Sequence, residues 1–526
     1  MARNAVSRTL RWAFTPSQRR VNGERGFVTR QQQSAAVPVR RSFKLTAVLC
    51  ATGLALATFD QSSFTTALAA IRSDLAIDLS TLQWITSVLP LAAAVALPIS
   101  GTLGDFWGAR ATMQAGFLVF SCGALLTLFS TDATTLLIAR VIQGIGVALM
   151  LPNGAALLGH NLGDGTHRAT AFGFWLMISS SGLVLGPLAG GAFAQTVGWR
   201  YTYAVMVPAG LLSAVGLRRL VDTPRQRSRS IDVAGLLTAS TGLGLLCWAL
   251  IEVGRIGRAD AQLTAAAMAA AGALVAFALF VAVEKRVRHP VLDLALLRNR
   301  QYTAVLGAAL LYNLATSGGI FLLSIYLQEQ RGVGSVVTGV LLIISNLGMP
   351  LAGRLAGPLA RWRPPLVVMS GSAAGMALTY IALGALAVAP IAALALPLVL
   401  VGLTCGVLYS FDTQAVLERV PAERSASALA TLALMRQVGG VLGIAVLGSI
   451  AQLASHVPGV AGERVALVTT GVLLIPAALW LRWARRPAGN EPAATSKGPV
   501  PAQTGASRGG EEGDPPLTAH SPSDTV

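Results

Sequence analysis

The sequence runs Ser179-Ser-Ser-Gly-Leu-Val-Leu-Gly-Pro-Leu-Ala-Gly-Gly191 in the middle of an apolar segment, and this stretch decides the fold. Pro187 has no backbone N–H, and the glycines around it allow another helix to approach closely. A membrane helix tolerates this only where neighbouring helices or water satisfy the freed backbone groups. The stretch predicts a bending helix in a packed bundle, with a general small-residue packing seam as the alternative. Its glycines are Gly182, Gly186, Gly190 and Gly191.

The whole chain has the composition of a membrane protein. Of its 526 residues 53% are hydrophobic and 12% are charged, and the mean hydropathy is +0.62. A soluble domain of this size needs no such excess of apolar residues. Crossing the hydrocarbon takes about 20 apolar residues, and 14 windows of this kind predict an all-α integral membrane protein with 14 transmembrane helices. The windows lie near residues 43–69, 82–102, 111–130, 133–158, 169–194, 199–218, 233–252, 262–283, 302–327, 335–357, 364–386, 389–411, 427–452 and 463–483.

The windows also suggest a division of the chain into five parts. Both ends of the sequence are poor in apolar residues and cannot bury a core, so they are predicted to be disordered. The predicted parts are a basic cytoplasmic arm (residues 1–42), a six-helix bundle (43–218), a basic loop with two inserted helices (219–284), a linker with a second six-helix bundle (285–483) and a cytoplasmic tail (484–526).

The net charge of +17 comes from short arginine runs between the apolar windows and in the first 42 residues. This pattern favours topology signals over contacts with nucleic acid. With both termini in the cytoplasm and an even number of spans, every strongly basic loop faces the cytoplasm, as the positive-inside rule requires. We therefore expect the acidic inner leaflet, and no nucleic acid, as the partner of these arginines.

Several classes of function lack their residues in this sequence. The four cysteines stand singly, without the paired spacing of a metal or redox site. The five histidines form no HExxH pair, and no Gly-rich loop ends in Gly-Lys-Ser/Thr to bind ATP. We expect no metal, no cofactor, no enzyme activity and no ATP-driven pumping.

The turn after the second window reads Gly101-Thr-Leu-Gly-Asp-Phe-Trp-Gly-Ala-Arg110. Gly104 and Gly108 would supply a tight turn, and Asp105 a carboxylate that pairs with a helix end or an arginine in only one of two conformations. The stretch resembles the signature loop of the major facilitator superfamily, G-x-L-a-D-r-x-G-r-r, although two of its basic positions are Phe and Ala here. An aspartate that only marks a helix end is the alternative. The gating residues expected are Gly101, Gly104, Asp105, Gly108 and Arg110.

Two charged residues lie inside predicted spans. Arg140 lies in the fourth span, where an unpartnered charge costs about 2.5 kcal/mol or more at the bilayer centre. Asp60 is the only acid of the first span and lies about 24 Å along the helix axis from Lys44, in the outer half of the membrane. We expect Arg140 to face the central cavity and Asp60 to carry the proton. The alternatives are a fixed structural ion pair, a substrate-binding acid, and an arginine that extends to the cytoplasm.

Taken together, the motifs resemble those of the fourteen-helix drug/proton antiporters of the same superfamily. Phe59–Ile71 is similar to their first-helix motif l-D-x-T-i-v-n-x-A-L-P-x-I, and Arg140–Gly146 to the motif R-x-x-Q-G-x-G. The stretch from Ser179 to Gly191 resembles the antiporter motif of their fifth helix. The resemblance covers residues 43 to about 483 and implies the major facilitator fold, with two six-helix bundles and two inserted helices. It also implies that Asp60 and Arg140 couple proton movement to transport.

The substrate site of such a protein is expected to be an apolar cavity with few polar groups. The candidates are polar residues inside predicted spans, and each is equally well an interhelical hydrogen bond worth about 0.6 kcal/mol. Glu252 and Asp412 fall at predicted helix ends and are interpreted as interfacial structural residues. The cavity candidates are Gln143, Asn313, Tyr326, Asn346 and Gln437.

The resemblance implies a proton-coupled secondary transporter of the bacterial inner membrane. It would export hydrophobic or amphipathic small molecules by alternating access, as in drug or antibiotic efflux. The expected partners are a lipophilic substrate, protons and the lipid bilayer, and the chain is expected to work as a monomer. A proton-coupled importer of a nutrient or metabolite is the alternative on the same fold, against which the glycine-proline motif argues. A membrane-embedded enzyme or a receptor is disfavoured, because no catalytic cluster and no sizeable soluble domain is evident.

Overall fold

A computed structural model describes residues 43–162, 168–225, 233–255, 260–287, 296–421, 424–457 and 461–485, and these residues form helices without any strand. The arm predicted over residues 1–42 and the tail from residue 486 onward lie outside the described residues. The helices are α1 (Phe43–Thr66), α2 (Leu68–Asp74), α3 (Leu79–Trp107), α4 (Ala109–Leu128), α5 (Ala133–Leu162), α6 (Arg168–Gln195), α7 (Tyr201–Gly216), α8 (Val233–Gly254), α9 (Asp260–Glu284), α10 (Arg300–Ile325), α11 (Ser335–Asn346), α12 (Gly348–Trp362), α13 (Pro365–Leu386), α14 (Ala395–Leu417), α15 (Ser425–Ala454) and α16 (Gly462–Ala484).

Within the described residues, 13 helical segments are long and apolar enough to cross a membrane. One of them joins α11 and α12, and another extends α10 through a π-helical turn to Gln330. The predicted window near 199–218 corresponds to α7, which has 16 residues and continues as a 3₁₀ turn to Arg219. Helix and turn together are about 30 Å long, close to the thickness of the hydrocarbon. The predicted all-helical membrane fold is confirmed.

Capping residues set the starts of helices at both ends of the bundle. Asp78 accepts a hydrogen bond from the Thr81 backbone N–H at 2.9 Å and begins α3. Asn299 accepts from the backbone N–H groups of Gln301 and Tyr302 and begins α10. Such side chains satisfy N–H groups that have no partner within the helix.

Helices α1 to α7 pack together and form the N-terminal half, while α10 to α16 form the C-terminal half. The inserted helices α8 and α9 pack on each other, and α8 also packs on α3 and α15. Leu243 and Cys247 of α8 form a small core with Val441 of α15, and the Ser449 hydroxyl donates to the Leu250 carbonyl at 2.7 Å. The insert thus lies along one of the two seams between the halves.

The halves meet at one end of the bundle, here called the closed end. There Arg72 of α2 forms an ion pair with Glu329, which follows α10. On one flank Gln83 of α3 donates to the Ile444 carbonyl of α15 at 3.1 Å, and on the other α6 packs on α11. All hydrogen bonds between the halves that the described residues show lie between this end and the middle of the bundle.

At the opposite end, here called the open end, the helices pack on helices of their own half. The segment of α11 and α12 shows the change: α11 packs on α6 of the other half, while α12 packs on α14 of its own half. Asp105 at the end of α3 and Tyr409 near the end of α14 lie at the open end. Among the described residues, the halves are therefore bonded to each other at the closed end and parted at the open end, where no hydrogen bond joins them.

Candidate functional site

The glycines of the stretch quoted first bring α6 into contact with α1. A Cβ atom added at Gly182, Gly186 or Gly190 would overlap atoms of α1. Because the two helices are so close, hydroxyls of α1 reach the backbone of α6: Thr58 donates to the Ser179 carbonyl at 2.8 Å and Ser62 donates to the Gly182 carbonyl at 2.9 Å. Neighbouring side chains therefore satisfy the backbone of α6, as the sequence predicts.

Pro187 connects the same helix to the other half. Because proline has no N–H, the carbonyl of Leu183 four residues earlier has no partner within α6. Asn346 at the end of α11 donates its side-chain N–H to this carbonyl at 2.9 Å. Gly339 lies against the Pro187 carbonyl and Gly191 against the Ser335 carbonyl, so that α11 approaches α6 closely. The stretch thus lies between α1 on one side and the C-terminal half on the other.

Asp60 and Arg140 form an ion pair inside the N-terminal half. Arg140 Nη1 donates to both carboxylate oxygens of Asp60, at 2.9 and 2.8 Å. The two side chains are 1% and 3% exposed. The Arg140 side chain does not extend along the helix to water, which removes that alternative.

The surroundings of this pair correct one expectation from the sequence. The Arg140 guanidinium lies 4.1 Å from the centre of the Phe64 ring, and its Nη1 is 3.3 Å from both the Tyr203 hydroxyl and Gln143 Oε1. These partners belong to α1, α7 and α5 of the same half. Arg140 therefore does not face the central cavity, because the rotation of α5 directs its side chain into the N-terminal half.

The end of α1 links the buried pair to the closed end. Asp60 lies six residues, or about 9 Å, before the end of α1. The last carbonyls of a helix have no partner within it. Ser324 donates to the Thr65 carbonyl at 2.6 Å, and Gln328 donates to the Thr66 carbonyl at 3.2 Å. The turn that follows Asp60 is thus bonded directly to the C-terminal half.

The loop from Gly101 to Arg110 departs from its predicted geometry. Gly104 lies within α3 rather than in a turn, and its missing side chain makes room for Asn153 of α5. Only Gly108 turns the chain, with φ of +98°, a conformation that favours glycine. Gly101 has open space around its Cα, and nothing within 4 Å would meet an added Cβ.

The predicted partners of Asp105 are taken by another acid. Asp222, which follows α7, accepts from the Arg110 backbone N–H at 2.8 Å at the start of α4, and lies 3.8 Å from Arg110 Nε. Asp105 is half-buried and forms no ion pair or side-chain hydrogen bond within the described part of the chain. It lines a groove of about 440 Å³ at the open end, together with Asn153 and Pro224. Asp222 is not among the residues predicted from the sequence, because it lies 112 residues beyond Arg110 at the helix start that it caps and no local pattern connects the two.

The structure does not bring the five cavity candidates together. Gln143 is buried in the Asp60 network, with its Nε2 3.4 Å from Asp60 Oδ1. Tyr326 is buried and donates to the Ala387 carbonyl at 3.1 Å. Asn313 and Gln437 lie half-buried in the C-terminal half, and Asn346 is bonded to α6. Most of these residues form hydrogen bonds between helices or within their own helix, which agrees with the alternative interpretation of them as structural residues.

A second buried ion pair lies in the C-terminal half. Asp412 lies within α14 rather than at its end and is fully buried, so its interpretation as an interfacial residue is wrong. It accepts from Arg436 Nε at 3.1 Å, from Arg436 Nη2, and from the Tyr312 hydroxyl at 2.8 Å. The sequence carried a signal for it, because an arginine inside an apolar window must find a partner. Glu252, near the end of α8, pairs with Arg255 at 3.2 Å and fits its interfacial interpretation.

A family model described as Major Facilitator Superfamily matches residues 50–444 of the chain. The Methylenomycin A resistance protein of Bacillus subtilis (strain 168) is 29% identical over 86% of the chain and 96% of that protein. The Tetracenomycin C resistance and export protein of Streptomyces glaucescens is 33% identical over 77% of the chain and 75% of its own length.

Solved structures show the same fold. The POT family transporter PepTSo superposes with a TM-score of 0.63 at 13% identity, covering 85% of this chain and 98% of that one. A D-xylose-proton symporter gives a TM-score of 0.60 at 14% identity, covering 84% and 97% of the two chains. At these identities the likeness concerns the arrangement of the helices alone.

Proposed function

This chain belongs to the major facilitator superfamily, whose members are transporters, and on that premise we propose that it exports lipophilic small molecules in exchange for protons. The named relatives are resistance and export proteins, which supports transport out of the cell as its role. The observation that carries the proton part is the Asp60–Arg140 pair, which is buried beside the hydrogen bonds of the closed end.

Protonation of Asp60 would break its ion pair with Arg140. The guanidinium would then keep the Phe64 ring, the Tyr203 hydroxyl and Gln143 Oε1 as partners. A cation–π contact and hydrogen bonds of this kind lower the cost of a buried arginine without its carboxylate. The network can therefore hold Arg140 in either protonation state of Asp60, which a proton carrier requires.

The end of α1 would transmit this change to the closed end. Release of Asp60 frees the last turns of α1, whose carbonyls at Thr65 and Thr66 are bonded to the C-terminal half. In our proposal the two halves then part at the closed end and meet at the open end, which is alternating access. With both termini in the cytoplasm, the state described here faces the cytoplasm. Asp105 would find its partner only in the other state.

The test is compound-driven proton movement in proteoliposomes that contain a pH dye, with lipophilic antibiotics added outside. Exchange predicts that the lumen becomes alkaline as the compound enters, whereas symport predicts acidification. Asp60→Asn should abolish proton movement because an amide cannot carry the proton, and Asp60→Glu should retain part of it. Glu418→Gln is the matched control, since this acid is exposed at the end of α14.

Each outcome bears on a different part of the proposal. Acidification in the wild type would replace the exporter by the importer alternative. Proton movement that survives in Asp60→Asn would remove Asp60 as the carrier and leave exchange intact. Because Asp60→Asn leaves Arg140 without its carboxylate, monodispersity of each purified variant shows whether a loss reflects chemistry or folding.

A further inference from the structure

The second ion pair borders the open end, away from the proton site. Asp412 lies five residues before the end of α14, whose start lies near the closed end. Tyr409, Ser410 and Gln414 lie on the exposed face of the same last turns. Polar and ionisable side chains within a span face the bundle interior or a water-filled cavity rather than lipid. This face of α14 therefore borders the space between the parted halves.

Arg436 is held rigidly in this position. Its Nε and Nη2 donate to the Asp412 carboxylate, and Nη2 also donates to the Thr413 hydroxyl at 3.0 Å and the Tyr409 carbonyl at 3.2 Å. The guanidinium carbon lies 3.6 Å from the centre of the Tyr409 ring. Nη1 has no hydrogen-bond partner among the residues that the structure describes. The side chain is 13% exposed, so one nitrogen of a fixed guanidinium is left to donate to another molecule.

The positive charge of Arg436 is balanced by the negative charge of Asp412. Asp412 is fully buried and its oxygens already accept from Arg436, the Tyr312 hydroxyl and the Thr413 hydroxyl. A cationic ligand would find no free acceptor there, while an oxygen acceptor would find Arg436. Beside it Tyr409 is 48% exposed, and the face of its ring that does not contact the Arg436 guanidinium offers a flat apolar surface.

We propose that Arg436 and Tyr409 form a substrate-binding site for planar aromatic compounds that carry a carbonyl, phenolate or carboxylate oxygen. The oxygen accepts from Arg436, and the ring system stacks against Tyr409. The inference rests on the proposed transport function and adds the chemical class of the substrate. It selects neutral and acidic aromatic compounds over lipophilic cations, because Asp60 is sealed within the N-terminal half and does not reach the open space.

Three compounds with one ring system test this site: anthracene-2-carboxylate, 2-acetylanthracene and an anthracene that bears a trimethylammonium-methyl group and no oxygen. Binding to the purified full-length protein is measured by quenching of tryptophan fluorescence. We expect the carboxylate and the ketone to bind at least tenfold more tightly than the cation, which has no oxygen to accept from Arg436. Tyr409→Leu should weaken their binding about fivefold and Arg436→Lys about tenfold, because lysine cannot reproduce the fixed fork.

Two variants separate this site from general effects of charge and ring chemistry. Arg354→Gln removes one exposed arginine of α12 and should bind as the wild type does. Phe106→Leu removes an aromatic ring at the end of α3 that is 56% exposed and lies outside the proposed site, and it should also bind normally. Equal binding by Arg436→Lys, Tyr409→Leu and the wild type would overturn the site, and tighter binding of the cation, or no binding of any compound, would overturn the substrate class. Proton movement driven by other compounds in the same preparation would show that the transport proposal survives such a result.

Discussion

The hydrogen bond from Asn346 to the Leu183 carbonyl should stabilise the closed end. It joins the two halves and ends at a carbonyl that Pro187 leaves without a partner in α6. Asn346→Ala removes the donor. Hydrogen bonds between membrane helices contribute about 0.6 kcal/mol on average and about 1.7 kcal/mol at most. Since the bond requires the halves to be in contact, its loss should lower the closed-to-open ratio at this end about threefold to eighteenfold.

A second substitution tests whether Pro187 is the reason that the Leu183 carbonyl depends on Asn346 for a partner. Pro187→Ala restores an N–H that can bond to the Leu183 carbonyl within α6, so that Asn346→Ala in this background should have a smaller effect. Asn313→Ala is the matched control, because this asparagine donates to the Ala309 carbonyl of its own helix at 3.0 Å. We expect no change in the ratio for the control.

Distances between spin labels at Val197→Cys and Val388→Cys measure the ratio in the membrane. The two valines lie in loops of opposite halves at the closed end and are 58% and 63% exposed. Cys122 is exposed and is changed to serine, whereas the other three cysteines are buried. An unchanged distance distribution in Asn346→Ala would refute the argument. An equal shift with and without Pro187 would refute the role of the freed carbonyl.

Two further predictions follow from packing and capping. Gly186→Leu places a side chain where Ser62 lies and should separate α6 from α1, lowering stability by about 1–3 kcal/mol. The temperature of thermal unfolding and the rate of export of a lipophilic dye should both fall. Gly244→Leu in α8, where nothing lies within 4 Å of an added Cβ, should leave both unchanged. Asp222→Ala removes the cap of α4 and should destabilise the protein by about 0.5–2 kcal/mol in thermal unfolding. Asp105→Ala should not alter stability in this state. A loss of stability as large as that of Asp222→Ala would contradict the assignment of Asp222, rather than Asp105, as the cap of α4.

The sequence predicts the all-helical membrane class well, because length and hydropathy decide what crosses a bilayer. Its 14 windows compare with 13 segments long and apolar enough to cross a membrane among the described residues, the short α7 being the difference. It does not predict how each helix is rotated. A helix that is apolar all round, such as α6 or α10, gives no sign of which face meets its neighbours. The residues Asp60 and Arg140 could therefore be chosen from the sequence, while their enclosure within one half could not.

The sequence also does not show which side chains on different helices pair with each other. Asp412 and Arg436 lie on consecutive helices, but the boundary of α14 decides whether the aspartate lies inside or at the edge. The predicted window ends near residue 411, whereas the helix continues to Leu417 through the polar residues Asp412, Thr413 and Gln414. Gly104 shows the same limit at α3, since a glycine typical of turns lies in a helix when a neighbour needs its space.

The position of α8 makes the protein asymmetric toward lipid. On one flank α8 covers the seam between α3 and α15, with Leu243 and Cys247 filling the gap against Val441. On the opposite flank α6 packs on α11, and within the described residues neither α8 nor α9 covers this contact. If the protein exports lipophilic compounds as proposed, a compound dissolved in the bilayer meets one seam that α8 shields and one that α8 leaves unshielded, on the side that carries Pro187.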